Sequence, residues 1–569
     1  EQDISILTEG KPGEIKALIT EKDGQIVMQK TCPKHGFFED VMAIDPAFLR
    51  RIEQLYPGSD FKSPKTDLRK HGTSSIKYGR GSVLTVDLTN RCNMMCDPCF
   101  MDANQVGYVH ELSFDEIKQI LDNSLQIKPR RQMSIQFSGG EPTMSPHFIE
   151  SVRYAKKIGY FSIQAATNGI RFAMSPEFAH EAAEAGMRIA YLQFDGVGNE
   201  NNQHRKIGNL FDIKLRAIEN LAAAGIDVVL VTTIVNTVND HQVGPIVDFA
   251  TANADKIQFC AFQPVSFTGR DEDISDEDRV KMRYTLSHLA RDVYKATGVE
   301  PLRDWFPLSA ITSFSDVTDL VRGPSAEWGS LKCGCHPNCG IGTAFLVNKE
   351  TKQRVPIGEV LDVEQLLKDM RTISDAARGQ KLTRAQIALA VLRNYRPENA
   401  PKDFSLQDLL TKFDKQSGGS LTAGNVDYGT GHERKKDKWL VMFVAGMWFQ
   451  DLFNYDFRRT ERCIIPYGTQ QGEISFCAYN TGIGWRNIIE NMHKNATVGE
   501  WYKKYGRHNV YADGKAVAMP SFEHSLKLPT HIVTKDAADG NGSGGVQALP
   551  SYRPQQKAVG GCGGGCGGH

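Results

Sequence analysis

Cys92-Asn-Met-Met-Cys96-Asp-Pro-Cys99-Phe100 is the stretch of this 569-residue chain whose spacing points most directly to a chemistry. A C-x3-C-x2-C loop offers three thiolates to one face of a cubane cluster. A 4Fe–4S cluster has four irons, so one keeps no protein ligand and stays open to a substrate or cofactor. The competing reading is a zinc site with a distant fourth ligand. Zinc motifs favour C-x2-C pairs, however, and this is a single trio.

Seven further cysteines lie beyond residue 300: Cys333, Cys335, Cys339, Cys463, Cys477, Cys562 and Cys566. One cluster needs about four ligands and two need about eight. Seven suit two auxiliary clusters if His336 or a substrate fills one place. The alternative is one cluster plus a tail with free thiols, which are an oxidation liability. Cys32-Pro-Lys-His35-Gly36 looks like half of a mononuclear metal site, but Ile6 to Ile19 holds no cysteine to complete it. A structural turn is the simpler reading there. Cys260 sits in an apolar run and reads as packed core. Tight clustering suits metal ligation better than disulfides and implies a reducing compartment.

The elements that must position these groups are legible from Val83 onward. Val83–Leu88, Met133–Phe137, Phe161–Ala166, Ile189–Phe194, Val228–Val235 and Ile257–Phe262 are short, apolar and often β-branched, as strands are. Helix signals lie between them. Ser113 with Glu116 forms a capping box, and Ser145-Pro146 and Ser175-Pro176 each put Ser at N-cap and Pro at N1. Asp240 is a further cap, and a long helix is expected after Ser275. Six strand–helix units predict a parallel sheet with right-handed crossovers, too few for the closed eight-fold barrel. The fold class expected is therefore α/β: a partial (β/α)6 barrel with chemistry at the strand C-termini. It has a small N-terminal module (residues 1–80, with a hairpin at Asp23-Gly24), the barrel (81–300) and a cysteine-rich C-terminal domain (301–569). Within the last, helices are expected at Val363–Ala377 and Arg384–Asn394, and a long loop from Gln416 to Lys438.

Motif residues fall at those strand ends. Ser138-Gly139-Gly140-Glu141-Pro142 follows the second strand, and Thr167-Asn168-Gly169 ends the third. Gln193 and Asp195 end the fourth, with His204-Arg205 in the next loop, and Gln263-Pro264 ends the sixth. The plain alternative for each is a strand-end turn residue.

Charge narrows the field. Lys plus Arg and Asp plus Glu are both 67, so the formal net charge is zero. That argues against a nucleic-acid binder working by bulk positive charge. No apolar run reaches the ~18–20 residues of a membrane span. The first residues carry no signal-peptide pattern, and the sequence begins at Glu1 rather than Met. The expected location is cytoplasmic, with contact at the inner membrane face.

The cysteine trio followed by Gly139-Gly-Glu-Pro142 resembles the radical S-adenosylmethionine (SAM) superfamily. That resemblance implies a fourth iron chelating SAM, whose reductive cleavage gives a 5′-deoxyadenosyl radical. It implies cofactor contacts from Phe100, Gly139, Gly140, Glu141, Pro142, Thr167, Asn168, Gln193, Asp195 and Gln263. Cys32-Pro-x-His-Gly, His336-Pro-x-Cys339-Gly, Arg462-Cys463 and Phe476-Cys477-x-Tyr-Asn480 resemble the tetraether lipid synthase and membrane-spanning-lipid synthase branch. Some of its members carry an older label as pterin-dependent methylases. The branch implies hydrogen abstraction from a lipid methyl, capture of the carbon at an auxiliary-cluster sulfur, and tail-to-tail joining. Expected partners are a lipid or other long apolar substrate and an electron donor such as ferredoxin or flavodoxin. The apolar run Val441–Phe449 is expected to wall the substrate cavity. Rival readings are a pterin-type methylase, a peptide-modifying enzyme and a non-catalytic iron–sulfur scaffold. The missing C-x2-C before Cys32 and the glycine-rich Cys562/Cys566 tail depart from the branch.

Overall fold

The computed structural model describes residues 15–55, 76, 83–126, 134–160, 162–311, 313–314, 317, 320, 334–376, 379–416, 437–481 and 484–529. Cys333, Cys562, Cys566 and most of the expected 416–438 loop lie outside the described residues.

The N-terminal module is a three-stranded antiparallel sheet: β1 (Ala17–Lys22), β2 (Gln25–Cys32) and β3 (Gly36–Ala43). Asp23 and Gly24 both adopt positive φ, 51° and 73°. A two-residue hairpin turn of type I′ requires this, and Asp-Gly is suited to it. The sheet is anchored by apolar contact: Ile26, Met28 and Met42 belong to the main core. It is also anchored by charge. Asp40 on β3 pairs with buried Arg279 at 3.0 Å and Arg283 at 2.6 Å, and Arg283 reaches Asp451 at 2.8 Å.

All six expected strands form, as β4 (Val83–Thr89), β5 (Ser134–Gly139), β6 (Ser162–Thr167), β7 (Ile189–Gln193), β8 (Asp227–Ile234) and β9 (Ile257–Pro264). Each pairs in parallel with the next. The crossovers carry helices α1 (Phe114–Gln126), α2 (Phe148–Ile158), α3 (Pro176–Ala185), α4 (Leu210–Ala223) and α5 (Val243–Ala252). Ser113 and Glu116 exchange the capping-box bonds of α1, at 2.9 and 3.3 Å. Ser175 caps α3 by accepting from Phe178 N at 3.1 Å.

Two helix starts and one helix length differ from expectation. Ser145 does not cap α2; it closes a 3₁₀ turn begun at Glu141, and its hydroxyl is taken by His147 N. Asp240 opens a 3₁₀ turn ahead of α5. The long helix after Ser275 is two pieces, α6 (Asp276–Met282) and α7 (Leu286–Thr297). The break falls at Arg283, which leaves the helix to bury its guanidinium between Asp40 and Asp451.

The sheet continues past the six strands at both edges. At one edge β10 (Gly340–Asn348) pairs antiparallel with β11 (Trp439–Met447), and β11 pairs in parallel with β9. At the other edge β12 (Tyr467–Thr469) lies parallel to β4. The full order is Phe306–Pro307, β10, β11, β9, β8, β7, β6, β5, β4, β12, Gly472–Ile474. Residues beyond 300 thus extend the barrel sheet, and the barrel is not left with the bare lateral opening expected of six strands alone. Helices α8 (Val363–Ala376) and α9 (Gln380–Asn394) pack as a smaller apolar cluster beside β10. Among the described residues no helix is long and apolar enough to cross a membrane.

His288, in the first turn of α7, gives a testable consequence. Its Nδ1 accepts from Thr285 N at 3.2 Å, so it is neutral there. Burial first, then Arg291, pushes its pKa down to about 4 from 6.5. The unfolded chain binds that proton below pH 6.5 while the folded chain does not, so stability falls as pH drops through this window. By pH 5 the loss is roughly 2 kcal/mol. Urea midpoints at pH 7.5 and 5.0 should therefore separate wild type from His288→Asn, which keeps an acceptor near Nδ1. Wild type should lose about 2 kcal/mol more than the variant.

Candidate active site

The cysteine trio leaves the end of β4 in a loop held by Asn104 just beyond it and by three side chains remote in sequence. Asn104 accepts from Cys92 N at 3.0 Å and donates to Cys92 O at 2.8 Å. Arg270 donates to Cys96 O and to Ala103 O, and pairs with Asp102 at 2.9 Å. Arg205 donates to Pro98 O at 3.1 Å, and His508 lies 3.1 Å from Cys92 O. The loop shape is thus fixed before any ligand binds. Burial holds the Cys92 and Cys96 thiols above their ordinary range, and Arg205 opposes this at Cys96. Metal ligation requires thiolates, so cationic neighbours of this kind assist it.

Gly139 and Gly140 press against the same loop. A Cβ on Gly140 would lie 2.2 Å from Arg91 O, and one on Gly139 would lie 2.2 Å from Thr89 O. Gly139 also sits at φ +131°. Side chains are therefore excluded where the second strand end meets the first. Glu141 is buried beside them. Its Oε1 accepts from Thr143 and from the Thr167 hydroxyl at 2.8 Å, and its Oε2 from Asn168 N at 2.7 Å. Asn168 in turn donates to Asn93 at 2.6 Å, inside the cysteine loop.

These groups border one cavity of about 780 Å³. Cys92, Cys96, Cys99, Phe100, Gly139, Gly140, Glu141, Thr167, Asn168, Gln193 and Gln263 all line it, as does Cys477. Pro142 and Asp195 do not. Pro142 starts the 3₁₀ turn capped by Glu141. Asp195 is fully buried behind the wall, bonded to His204 at 3.0 Å, to Arg205 and to Thr233 N at 2.9 Å. Its carboxyl is held well below the usual range by Arg205 and His204, against burial. It positions Arg205, which does reach the cavity. Gln193 presents both amide atoms there, buried and without a partner. A buried unsatisfied amide at a cavity wall is a place for a polar ligand. Three thiols, a side-chain-free cradle and an unpaired amide fit a 4Fe–4S cluster with an amino-acid-like ligand. Among the described residues no three His, Cys, Asp or Glu converge as a single-ion site. A cubane does not need that, because each thiolate binds a different iron.

The Radical SAM superfamily pattern matches residues 86–250. The 7,8-dihydro-6-hydroxymethylpterin dimethyltransferase of Methanocaldococcus jannaschii is 30% identical over 479 residues, 82% of this chain and 91% of that one. The Fe-coproporphyrin III synthase of Methanosarcina barkeri is 29% identical over 233 residues, 40% of this chain and 56% of that one. The chain belongs to the radical SAM superfamily. It is a radical SAM enzyme, and the cofactors of that superfamily are a 4Fe–4S cluster and SAM. The pterin dimethyltransferase matches the methylase reading of the sequence better than the lipid-joining one. A second pattern, the HMPTM N-terminal zinc ribbon domain, matches residues 13–44. Cys32 and His35 are the single cysteine and histidine there, with Sγ and Nδ1 3.4 Å apart. Structural zinc takes four ligands, so these residues do not fit a closed ribbon site; the core contacts and the Asp40 ion pairs hold this sheet instead.

The described downstream cysteines are drawn together. Cys339 lies within electrostatic reach of Cys335, Cys463 and Cys477. All four are buried or nearly so. Cys463 Sγ accepts from Phe476 N at 3.4 Å, and Cys477 Sγ from Gln450 N at 3.3 Å. His336 keeps Nδ1 on Asn338 N at 3.2 Å. Cys260 is buried in the main core, as its apolar run predicts.

Sequence reasoning missed the residue that ties the two thiol groups together. Arg486 pairs with Asp87 of β4 at 2.6 Å and Glu490 at 2.9 Å, and donates to Asn480 Oδ1 at 2.8 and 2.9 Å. Its guanidinium lies 4.5 Å from the Tyr479 ring centroid and 5.9 Å from that of Phe100. Phe100 adjoins Cys99, and Phe476, 5.8 Å from it, adjoins Cys477. A lone Arg outside any motif carries no local signal of such a role.

Two substitutions and a control test this geometry. Gly140→Ala forces the backbone at Arg91 to move, a strain of about 1–3 kcal/mol, so 5′-deoxyadenosine release should fall about tenfold or more. Gly379→Ala, with open space around it, should leave release unchanged. Arg486→Met leaves Asp87 and Glu490 buried without their cation, which costs about 3–5 kcal/mol. Its urea midpoint should fall accordingly.

Proposed function

We propose that the protein is a radical SAM transferase whose substrate occupies the cavity between Cys99 and Cys477. The observation that carries this is the shared lining: one continuous space touches both the cysteine trio and an auxiliary cysteine. In this reading Cys92, Cys96 and Cys99 hold the SAM-binding cluster. Glu141 and Gln193 receive polar groups of SAM, and Gly139 and Gly140 let its backbone neighbours close in. Cys335, Cys339, Cys463 and Cys477 hold an auxiliary cluster. When bound, the first cluster would supply the one electron that cleaves SAM to methionine and the 5′-deoxyadenosyl radical, which removes a hydrogen from unactivated carbon. An external one-electron donor is required.

Methyl transfer to a pterin-class acceptor is the first substrate reading. It is supported by the likeness to a pterin dimethyltransferase along 82% of this chain. The joining of alkyl chain ends is the second, and one specific observation favours it. β11, expected to wall the cavity, does so through Phe443, Val444, Ala445 and Met447, and Phe449 follows. Phe306, Leu308, Ile357 and Leu367 line the same cavity. Each buried methylene contributes about 0.8 kcal/mol, so an alkyl chain binds such a wall with few polar contacts.

Reconstituted protein with SAM and dithionite discriminates the two. With methyl-labelled SAM and 7,8-dihydro-6-hydroxymethylpterin, label in the pterin product establishes methyl transfer. With a lipid deuterated at its terminal methyls, deuterium in 5′-deoxyadenosine and a tail-to-tail product establish chain joining. Product from neither would sink both substrate readings. Absence of 5′-deoxyadenosine in every arm would return the chain to the scaffold reading.

A further inference from the structure

Arg459 is 1% exposed, and among the described residues no carboxylate pairs with it. Its neighbour Asp456 is taken up by Arg458, at 2.7 Å. Arg459 Nε instead donates to Cys339 Sγ at 3.3 Å, and one Nη donates to Trp448 O. The other, Nη1, is buried without a partner. The guanidinium carbon stands 5.6 Å from the Trp448 ring centroid, and Cys339 and Cys477 are the sulfurs whose charge it feels most.

A buried cation without an anion costs several kcal/mol. Neutral thiols do not offset it. Thiolates on iron do, because a cluster with four thiolate ligands is a net anion. The position of Arg459 is therefore explained by a cluster rather than by the bare protein. An N–H donated to a cluster sulfur and a fixed positive charge both favour the reduced, more negative state, and so raise the reduction potential.

We propose that Arg459 sets the reduction potential of the auxiliary cluster, through its bond to Cys339 Sγ and through its buried positive charge. It is a positioning and tuning residue that need not touch substrate. The proposal rests on the reading that Cys335, Cys339, Cys463 and Cys477 hold that cluster. It assigns one charge-bearing side chain to an electron-transfer property independent of which substrate is used. A potential raised in this way keeps the auxiliary cluster from losing its electron to oxidants and makes it the better acceptor within the protein.

The test uses full-length chain in which Cys92, Cys96 and Cys99 are replaced by Ala, so that every remaining cluster is auxiliary. Iron and sulfide analysis comes first: an iron-free triple variant would remove the cluster reading itself. In an iron-replete protein, EPR-monitored redox titration compares Arg459, Arg459→Lys and Arg459→Gln. Arg459→Gln should shift the one-electron equilibrium toward the oxidised form at least tenfold, which is about 59 mV downward. Arg459→Lys keeps the charge but loses the planar fork, and should fall between. Equal potentials in the iron-replete variants overturn the proposal. If Arg459→Gln fails to retain iron, the Lys variant decides alone: an unchanged potential there overturns it, and a lowered one supports it.

Discussion

The arrangement depends on where β11 and β12 pair. A parallel sheet of six strands has two bare edges, each a row of unpaired backbone groups. Here one stretch of chain satisfies both. β11 adds to β9, with Phe262 opposite Gly446, and β12 adds to β4, with Thr85 opposite Tyr467. Val83 N and Thr85 N donate to Ile464 O and Pro466 O, at 3.1 and 2.8 Å. The segment joining these two strands must therefore pass from one edge of the barrel to the other. Arg459 and Cys463 lie on that segment, and Cys477 follows the hairpin that begins at β12. Their approach to the cysteine trio is a result of edge pairing, so disrupting either pairing would displace the auxiliary thiols and the cavity wall together.

Buried arginines then fix the details. Arg283 joins the N-terminal sheet to the loop at Asp451, Arg205 and Arg270 hold the cysteine loop, Arg486 binds the Phe476–Asn480 helix to β4, and Arg459 stands among the auxiliary sulfurs. Four of these are anchored by carboxylates at 3.0 Å or less: Arg283, Arg205, Arg270 and Arg486. A buried ion pair contributes little net stability, but breaking one leaves an uncompensated charge. Such pairs therefore act mainly to exclude alternative placements of the loops they join.

Much of the barrel was readable because its signals are local. β-Branched runs mark β4 to β9, and Ser113/Glu116 and Ser175-Pro176 mark two helix starts by side-chain chemistry available within four residues. The misses are non-local. Ser145 has the right neighbours for a cap, yet Glu141 had already begun a turn there. The helix after Ser275 breaks because Arg283 meets Asp40 and Asp451, far away in sequence. Asp195 looks like a strand-end ligand, and becomes a buried support once Arg205 and His204 fold onto it. β11 reads as an apolar strand, but its register beside β9 is a long-range pairing that no local pattern specifies. The pterin or lipid question has the same character. Cysteine spacing reports the radical generator, whereas substrate choice depends on which side chains the fold brings to the cavity.

The cavity lining has two sources. The original strand ends bring the polar Gln136, Ser138, Asn168, Gln193 and Gln263, together with Tyr191, Val231 and Phe259. The added chain brings Phe443, Met447 and Phe449, with Ile464 and Ile465 from the segment leading to β12, together with Thr343, Gln450 and Asn480. In the proposed reading SAM would use polar groups beside the cysteine trio. A pterin ring carries several donors and acceptors, and each left unpaired in a buried site costs about 1–3 kcal/mol. It would have to share those polar groups with SAM. An alkyl group has no such requirement. The added strands thus do more than close the sheet edges: they also furnish much of the lining against which a substrate would be held.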